Sequence, residues 1–327
     1  MSGDGSPVHV AFNGVMGEGY AELLHASLTL PHELRCAGSD PDAWAEALAT
    51  AEVVVTMDWP ATSPPAPKLR LLHLPGAGTD SVDVSALPAG CAACNVFEHE
   101  VPIAEYCMRA MLEHAIGVTA TDRRFRSGDW SDSLVAGGPT HGELQGRVLG
   151  ILGYGRIGRA LAKRAYAFGM EVRTVTAHPV LEPPLTQALT PDGLVEAASR
   201  FDYLVVACPL TAATHGMVDD RVFAAMKAEA VLINVGRGLV VDEEALFRAL
   251  ENGAIGGAVI DVWYQYPGPD GRLDVRPSRF NFEGLSNVWM TPHTSAWSTP
   301  MLERRFAVIA DNIVRMRAGR PLLNRFA

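Results

Sequence analysis

A glycine-rich segment, Gly153–Gly158, has the spacing G-x-G-x-x-G and directly follows the apolar run Val148–Leu152. A pattern of this kind between a strand and a helix is typical of sites that bind a pyrophosphate. Gly153 permits the tight turn, Gly155 lets the backbone approach the phosphates, and Gly158 lets the helix pack closely on the strand. Backbone N–H groups at the helix start then bind the anion. The predicted dinucleotide contacts are Gly153, Gly155, Arg156, Ile157 and Gly158.

The end of the second strand of this predicted unit carries no carboxylate. An acidic residue usually stands there and accepts hydrogen bonds from the adenosine ribose. Here the strand 171–176 ends at Thr176, which occupies the place of the acid, and His178 follows two residues later. His178 could assist a 2′-phosphate, but no arginine stands beside it to bind that group in a bidentate way. The sequence therefore predicts NAD or NADP as cofactor and leaves the preference open.

Arg237 and His293 each follow an apolar, strand-like run, 231–235 and 288–290 respectively. Doubly wound sheets bind their ligands at the carboxyl ends of strands. The planar guanidinium of Arg237 can hold a carboxylate and a neighbouring carbonyl oxygen together. The imidazole of His293 can give or take a proton near neutral pH. Together with a hydride donor, these groups are what the reduction of a 2-oxo acid requires.

The elements that must position these residues form two series of alternating strands and helices. The first series begins with the strand Val8–Phe12, and the second begins at Val148. A long apolar helix, Glu100–Gly117, joins the two. This alternation is typical of parallel sheets covered by helices. We therefore expect an α/β protein with two doubly wound parallel-sheet (Rossmann-like) domains and a cleft between them.

Composition excludes several other classes of protein. The chain has 327 residues, 48% of them hydrophobic, and a net charge of −10, which disfavours nucleic acid as a partner. No apolar run is long enough to span a bilayer and no leader precedes the first strand, so we expect a cytoplasmic protein without a membrane partner. The C-x-x-C pair Cys91 and Cys94 has no second pair at zinc spacing, and five cysteines do not suggest a disulfide framework. We expect no metal site.

Eight short segments stand in an order that is characteristic of one enzyme family. They are Pro75–Asp83, Ile103–Glu105, Arg126–Trp130, Gly142–Gly146, Cys208–Thr214, Asn234–Glu243, Asp261–Val262 and Thr291–His293. With the glycine motif in its place among them, the chain resembles the D-isomer-specific 2-hydroxyacid dehydrogenase family over nearly its whole length.

The resemblance implies a domain arrangement and further site residues. It implies a substrate-binding, flavodoxin-like domain of residues 1–98 plus 297–327 and an NAD(P)-binding Rossmann domain of residues 99–296. It also implies a homodimer formed through the region of the helix Glu100–Gly117. The implied cofactor contacts are Cys208, Pro209, Thr214, Val235, Gly236 and Asp261. Among these, the Val235 carbonyl and the Asp261 side chain would hold the nicotinamide carboxamide. The implied substrate contacts are the N–H groups of Ala77 and Gly78, with Arg237 and His99.

One position departs from the family. The family places a glutamate five residues after the aspartate of Asp261–Val262 and pairs it with the histidine, but Tyr266 stands there. Three replacements are open: the phenol of Tyr266, the amide of Gln265, or an acid elsewhere such as Glu98 or Glu100. Loss of the carboxylate predicts a lower pKa for the histidine than in family members that have the pair.

The expected function is NAD(P)-dependent reduction of a small 2-oxo acid to the D-2-hydroxy acid. Arg237 would orient and polarise the substrate, His293 would act as acid and base, and Tyr266 would complete the catalytic group. The missing glutamate and the segment Asp261-Val262-Trp263 also allow oxidation of a small anion such as formate or phosphite. A nucleotide-sensing regulatory protein of the same fold is the alternative outside enzymes.

Overall fold

The structure is a computed structural model that describes residues 6–14, 17–268 and 272–327. The chain divides into two compact units. Unit 1 comprises Met1–Glu98 and Ser298–Ala327, and unit 2 comprises His99–Trp297.

Unit 1 is built on a five-stranded parallel sheet with the strand order β2-β1-β3-β4-β5. The central strands β3 (Val53–Val55) and β4 (Leu71–His73) are short and buried at every residue, as strands covered on both faces must be, whereas the edge strand β2 (His32–Cys36) is polar and largely exposed. The strands are β1 (Val8–Phe12), β2 (His32–Cys36), β3 (Val53–Val55), β4 (Leu71–His73) and β5 (Ala92–Cys94). The helices of this unit are α1 (Gly17–Ser27), α2 (Pro41–Thr50) and the last helix of the chain, α9 (Thr299–Arg317).

The residues after α9 add to the open edge of this sheet. Arg325 forms an antiparallel bridge with Cys94 on β5, and Phe326 N–H donates to the carbonyl of Ala93 at 2.9 Å. The buried Asn312 of α9 fixes this segment, because its side chain accepts from Leu323 N–H and donates to the Leu323 carbonyl. Asn312 also lies 2.9 Å from Nε2 of the buried His73 on β4. A polar network inside the core therefore ties the last residues of the chain to unit 1.

Unit 2 is built on a seven-stranded parallel sheet with the order β12-β11-β10-β9-β6-β7-β8. From β6, the next strands in the chain, β7 and β8, are added on one side of the sheet, and β9 to β12 are added on the other side. The boundary between β6 and β9 is therefore a topological switch point, where doubly wound sheets bind ligands. The strands are β6 (Val148–Leu152), β7 (Glu171–Val175), β8 (Gln187–Leu189), β9 (Tyr203–Val206), β10 (Val231–Asn234), β11 (Gly257–Ile260) and β12 (Val288–Met290). The two parallel α/β sheets that the sequence predicts are thus confirmed.

Helices cover both faces of the sheet of unit 2. One core lies under the helices Glu100–Ile116 and Arg156–Ala167, where Met111 and Leu161 are fully buried. The other lies under the three helices between Leu194 and Glu251, where Phe201 is fully buried. The helices are α3 (Glu100–Ile116), α4 (Val118–Phe125), α5 (Arg156–Ala167), α6 (Leu194–Ala198), α7 (Asp220–Ala225) and α8 (Glu243–Glu251).

Several predicted elements are longer than the observed ones by one or two residues. The helix from Glu100 ends at Ile116, because Gly117 adopts a left-handed conformation with φ of 73° and caps it. The strands predicted to reach Thr176 and Val235 end one residue earlier, at Val175 and Asn234. Thr176 and Val235 still donate their N–H groups to the carbonyls of Leu189 and Val206, so both residues stay at the carboxyl edge of the sheet. In the part of the chain that the structure describes, no helix is both long and apolar enough to cross a membrane.

Candidate active site

The glycine turn between β6 and α5 is shaped by packing at two positions and is open at a third. Gly153 has φ of 99°, and a Cβ there would lie 2.8 Å from the backbone nitrogen of Cys208. A Cβ on Gly158 would lie 2.4 Å from the carbonyl oxygen of Gly153. At Gly155 a Cβ would meet no atom within 4 Å. The backbone at Gly155 therefore faces open space beside a helix start, which fits the pyrophosphate of a dinucleotide.

The segment after β7 offers neutral or basic groups. Thr176 is half-buried and its N–H donates to the Leu189 carbonyl, while His178 is exposed. The acidic residue in the following loop, Glu182, is already paired with Arg159 of α5. The Arg159 guanidinium also lies over the ring of Tyr154 in the glycine turn, 4.5 Å from its centroid. The carboxylate of Glu182 at this edge of the site is therefore neutralised by Arg159.

The segment Cys208–Thr214 forms a turn that is closed by its own hydroxyl groups. The Thr214 hydroxyl donates to the Pro209 carbonyl at 2.7 Å and accepts from Thr211 N–H at 2.7 Å. The thiol of Cys208 is buried behind Gly153. The Thr214 hydroxyl thus stabilises the loop through bonds within it. Its predicted contact with the cofactor stays a prediction.

Arg237 stands in a short turn that buried residues hold in place. The side chain of Asn234, at the end of β10, accepts from Gly236 N–H and donates to the carbonyl of Arg237. Gly238 follows, where a Cβ would lie 2.3 Å from the carbonyl oxygen of Trp263. Arg237 is exposed and donates to the Gly236 carbonyl at 2.9 Å. No carboxylate among the described residues forms an ion pair with it, so the guanidinium can take an anionic ligand.

Asp261, directly after β11, is fully buried and organises the loop that carries His293. Its carboxylate accepts from the Thr291 hydroxyl at 2.6 Å, from Thr294 N–H at 2.7 Å and from Ser295 N–H at 2.9 Å. Three hydrogen bonds to one short segment hold His293 in a left-handed conformation with φ of 59°. Asp261 therefore has a structural role that the sequence does not reveal, in addition to its predicted contact with the nicotinamide.

The phenol of Tyr266 contacts the imidazole of His293. The Tyr266 oxygen lies 3.1 Å from Nδ1 of His293 and accepts from Trp263 N–H at 3.1 Å. The acids considered as replacements for the family glutamate have other partners. Glu98 pairs with Arg304 at 3.2 Å, and Glu100 pairs with Arg156 at 3.8 Å.

The charges of Arg237 and Asp261 both affect the pKa values of Tyr266 and His293. Partial burial lowers the pKa of His293, the Asp261 carboxylate raises it, and the Arg237 guanidinium lowers it again, with a net decrease. Burial raises the pKa of Tyr266, and Arg237 opposes that increase. The surroundings of His293 therefore favour the neutral imidazole over the imidazolium.

Within unit 1, the loop after β4 contains the predicted anion contacts Ala77 and Gly78. Asn95 donates from Nδ2 to the Ala77 carbonyl at 2.8 Å. Arg305 of α9 donates to the Pro75 carbonyl at 3.1 Å and to the Phe97 carbonyl at 2.8 Å. The loop is therefore held from two sides.

The predicted substrate contact His99 belongs to unit 2, where it is half-buried and directly precedes α3. Its role as a substrate contact stays a prediction.

Sequence reasoning missed three positioning residues. Trp263 donates its backbone N–H to Tyr266 and its indole N–H to the Thr291 carbonyl at 2.9 Å. Thr291 also lies 2.7 Å from the Tyr106 hydroxyl of α3. Asn95 is the third, in the loop of unit 1. Their places beside strand ends were visible in the sequence, but the partners of their side chains were not.

Comparison with known proteins identifies the group of enzymes to which this arrangement belongs. The sequence profile of the D-isomer specific 2-hydroxyacid dehydrogenase NAD binding domain matches residues 108–295. The chain is 32% identical over 311 residues to a glycerate dehydrogenase of Methylorubrum extorquens, which covers 89% of this chain and 91% of that protein.

Solved structures agree with the sequence comparison. A D-isomer specific 2-hydroxyacid dehydrogenase family protein from Aeromonas salmonicida is similar with a TM-score of 0.81 and 25% identity, over 98% of this chain and 99% of that one. An NADPH-dependent glyoxylate/hydroxypyruvate reductase from Sinorhizobium meliloti is similar with a TM-score of 0.77 and 27% identity, over 98% of both chains. The chain belongs to the D-isomer-specific 2-hydroxyacid dehydrogenase family and is an NAD(P)-dependent oxidoreductase that acts on CH–OH groups.

Proposed function

We propose that the protein reduces a small 2-oxo acid, such as glyoxylate or hydroxypyruvate, to the corresponding D-2-hydroxy acid. The observation that carries this proposal is the placement of Arg237 just after β10 and of His293 just after β12, the two strands that flank β11 in the sheet of unit 2. Among the described residues, no carboxylate forms an ion pair with Arg237. The relatives named glycerate dehydrogenase and glyoxylate/hydroxypyruvate reductase support a substrate of two or three carbons.

The cofactor would be held at the glycine turn and the neighbouring strand ends. Gly155 and the start of α5 would bind the pyrophosphate, and the Val235 carbonyl with Asp261 would hold the carboxamide. When bound, the reduced nicotinamide supplies the hydride.

Arg237 would bind and polarise the substrate. Its fork of N–H donors fits one carboxylate oxygen and the 2-oxo group together, so that the carbonyl carbon is oriented and made more electrophilic. The cation also stabilises the negative charge that develops on the carbonyl oxygen during reduction. The N–H groups of Ala77 and Gly78 would complete the binding of the substrate carboxylate.

His293 would supply the proton. As the carbonyl carbon becomes tetrahedral, the oxygen takes a proton from the imidazole, and the ring recovers it from solvent. In the reverse direction, the same nitrogen would accept the proton of the hydroxyl group.

A substrate panel with matched variants tests the proposal. Glyoxylate, hydroxypyruvate and larger 2-oxo acids are each assayed with NADH and NADPH by cofactor absorbance, and formate and phosphite are assayed with NAD and NADP. We expect turnover with at least one 2-oxo acid and a loss of about 10²- to 10⁴-fold in kcat for His293→Asn. The dissociation constant of the cofactor should stay unchanged, and His141→Asn, at an exposed histidine, should behave as wild type. Turnover of only formate or phosphite, or equal turnover by His293→Asn, would contradict the proposal.

We also propose that the protein is a homodimer formed through the region of α3. A groove of unit 2 beside α3 supports this. Its apolar lining residues include Met108, Leu112, Ile116 and Phe168, and its charged ones are Glu105, Arg109, Glu113 and Arg164. Light scattering coupled to size exclusion should give twice the mass of 35.0 kDa. A monomeric mass across the micromolar range would contradict this proposal.

A further inference from the structure

The group that faces Nδ1 of His293 is a hydroxyl rather than a carboxylate. The Tyr266 oxygen lies 3.1 Å from that nitrogen, and it accepts the backbone N–H of Trp263 on another side. A hydroxyl can both donate one hydrogen bond and accept others, whereas an ionised carboxylate can only accept. A hydroxyl that already accepts a hydrogen bond is also polarised to donate more strongly.

The charged groups near the imidazole come from two other strand ends. Asp261, after β11, directs its carboxylate to the Thr291 hydroxyl and to the N–H groups of Thr294 and Ser295, and so acts on the backbone around the ring. Arg237, after β10, opposes a positive charge on His293. The one side chain in hydrogen-bond contact with the ring among these groups is therefore uncharged Tyr266.

We propose that Tyr266 positions His293 in both of its protonation states, donating its phenol proton to the unprotonated Nδ1 and accepting from Nδ1–H of the imidazolium. This inference rests on the proposed role of His293 as acid and base. The two arrangements need only a rotation of the phenol hydrogen, because the oxygen stays in place and keeps its bond from Trp263.

Two consequences follow for the reaction. In the resting neutral ring, the phenol proton donated to Nδ1 favours the Nε2–H tautomer. When the imidazolium gives its Nε2 proton to the substrate, the ring that remains carries Nδ1–H, which the Tyr266 oxygen accepts. In this second form Nε2 is unprotonated and can accept a proton in the reverse direction. In the charged ring no anion at position 266 stabilises the imidazolium, so its pKa stays below the ordinary value for histidine. The proton-donating imidazolium is then populated on the acid side of neutrality, and reduction should weaken as the pH rises through that lowered pKa.

Nitrogen NMR of ¹⁵N-histidine-labelled protein tests the inference without any substrate. The His293 signals are assigned by their loss in His293→Asn. We expect the neutral ring of the wild type to show the Nε2–H tautomer, and Tyr266→Phe to give a mixture of tautomers. Tyr264→Phe is the matched control, because it removes the same hydroxyl from a nearby ring that packs against the core under α6 to α8. An unchanged tautomer and pKa of His293 in a folded Tyr266→Phe protein would overturn the inference.

A second variant keeps the inference testable should the phenylalanine variant not fold. In Tyr266→Glu the pKa of His293 should rise by about one unit, and the pH profile of kcat/KM for reduction should move to higher pH by the same amount. Tyr266→Phe should lower kcat about tenfold and leave the KM of the cofactor unchanged. An unmoved pKa in Tyr266→Glu would show that position 266 does not act on His293.

The substrate panel and the NMR experiment distinguish failure of the proposed function from failure of the positioning role of Tyr266. If no 2-oxo acid is reduced while the tautomer responds to Tyr266→Phe, the proposed function is wrong and the positioning role stands. If the enzyme reduces a 2-oxo acid while the His293 tautomer and the pH profile are unchanged in the Tyr266 variants, the positioning role is wrong and the proposed function stands.

Discussion

The side chain of Asn95 donates a hydrogen bond of 2.8 Å to the carbonyl of Ala77. The carbonyl of Ala77 and the N–H of Gly78 belong to one planar, trans peptide group, so they point in opposite directions. By holding the oxygen on its own side, Asn95 directs the N–H of Gly78 away from itself. Asn95, in the loop after β5, thus sets the direction of the Gly78 N–H, which we propose as a donor to the substrate carboxylate.

Asn95→Ala should therefore weaken the binding of the 2-oxo acid. Loss of one hydrogen bond that holds the peptide group predicts an increase of about tenfold in the KM of the substrate. The KM of the cofactor should stay the same, because the nucleotide contacts lie in unit 2. Steady-state kinetics with the best substrate of the panel measures both constants. Equal substrate KM in the variant would mean that the loop keeps its peptide orientation without Asn95.

The glycines of the nucleotide turn should separate into two classes. Gly155→Ala places a methyl group in space that the protein leaves open, so the free energy of unfolding should change by less than about 1 kcal/mol while cofactor affinity falls. Gly158→Ala places a methyl group 2.4 Å from the Gly153 carbonyl and should cost about 2 kcal/mol of stability.

Urea denaturation and cofactor titration by fluorescence measure these two effects. A Gly155→Ala protein that binds the cofactor as tightly as the wild type would contradict the assignment of this open space to the pyrophosphate.

A carboxylate placed at Thr176 should discriminate between the two nicotinamide cofactors. Thr176→Asp introduces a negative charge at the end of β7, where it would repel a 2′-phosphate and accept from a ribose hydroxyl. We expect the KM of NADPH to rise by about tenfold or more, and that of NADH to stay equal or fall. Thr176→Asn is the uncharged control and should leave the ratio of the two KM values near that of the wild type. A parallel change of both constants in Thr176→Asp would place the ribose elsewhere.

The buried His73 should make the stability of the protein depend on pH. Burial lowers its pKa to about 4 from the usual value of 6.5, since the ring is fully enclosed between Leu74 and Asn312. The unfolded chain therefore binds a proton at higher pH than the folded chain does. The full contribution of the neutral ring is present above pH 6.5 and is lost as the pH falls toward 4, by about 3 kcal/mol.

Chemical denaturation at several pH values between 7 and 4 measures this loss. His73→Gln keeps an acceptor for Asn312 and has no titratable ring, so its stability should decline less steeply over the same range. Identical slopes for the two proteins would show that another group controls the acid sensitivity.

The sequence by itself determined the fold class and the places where chemistry could occur. Alternating apolar runs and helical patterns specify parallel strands, and residues such as Arg237 and His293 follow those runs directly, so their position at the carboxyl edge of the sheet depends only on local order along the chain. The G-x-G-x-x-G spacing works in the same way, because Gly153, Gly155 and Gly158 lie within one turn. Tyr266 was likewise found by counting from Asp261.

Only the tertiary structure decided which side chains meet. Tyr266, Gln265, Glu98 and Glu100 were all open as partners of His293, and 27 residues of chain separate the phenol from the imidazole that it contacts. The bonds of Asp261 to Thr294 and of Asn95 to Ala77 likewise join residues that are distant in sequence. Contacts of this kind depend on the exact path of loops and on rotamers packed against a particular core, and neither residue type nor periodicity encodes them.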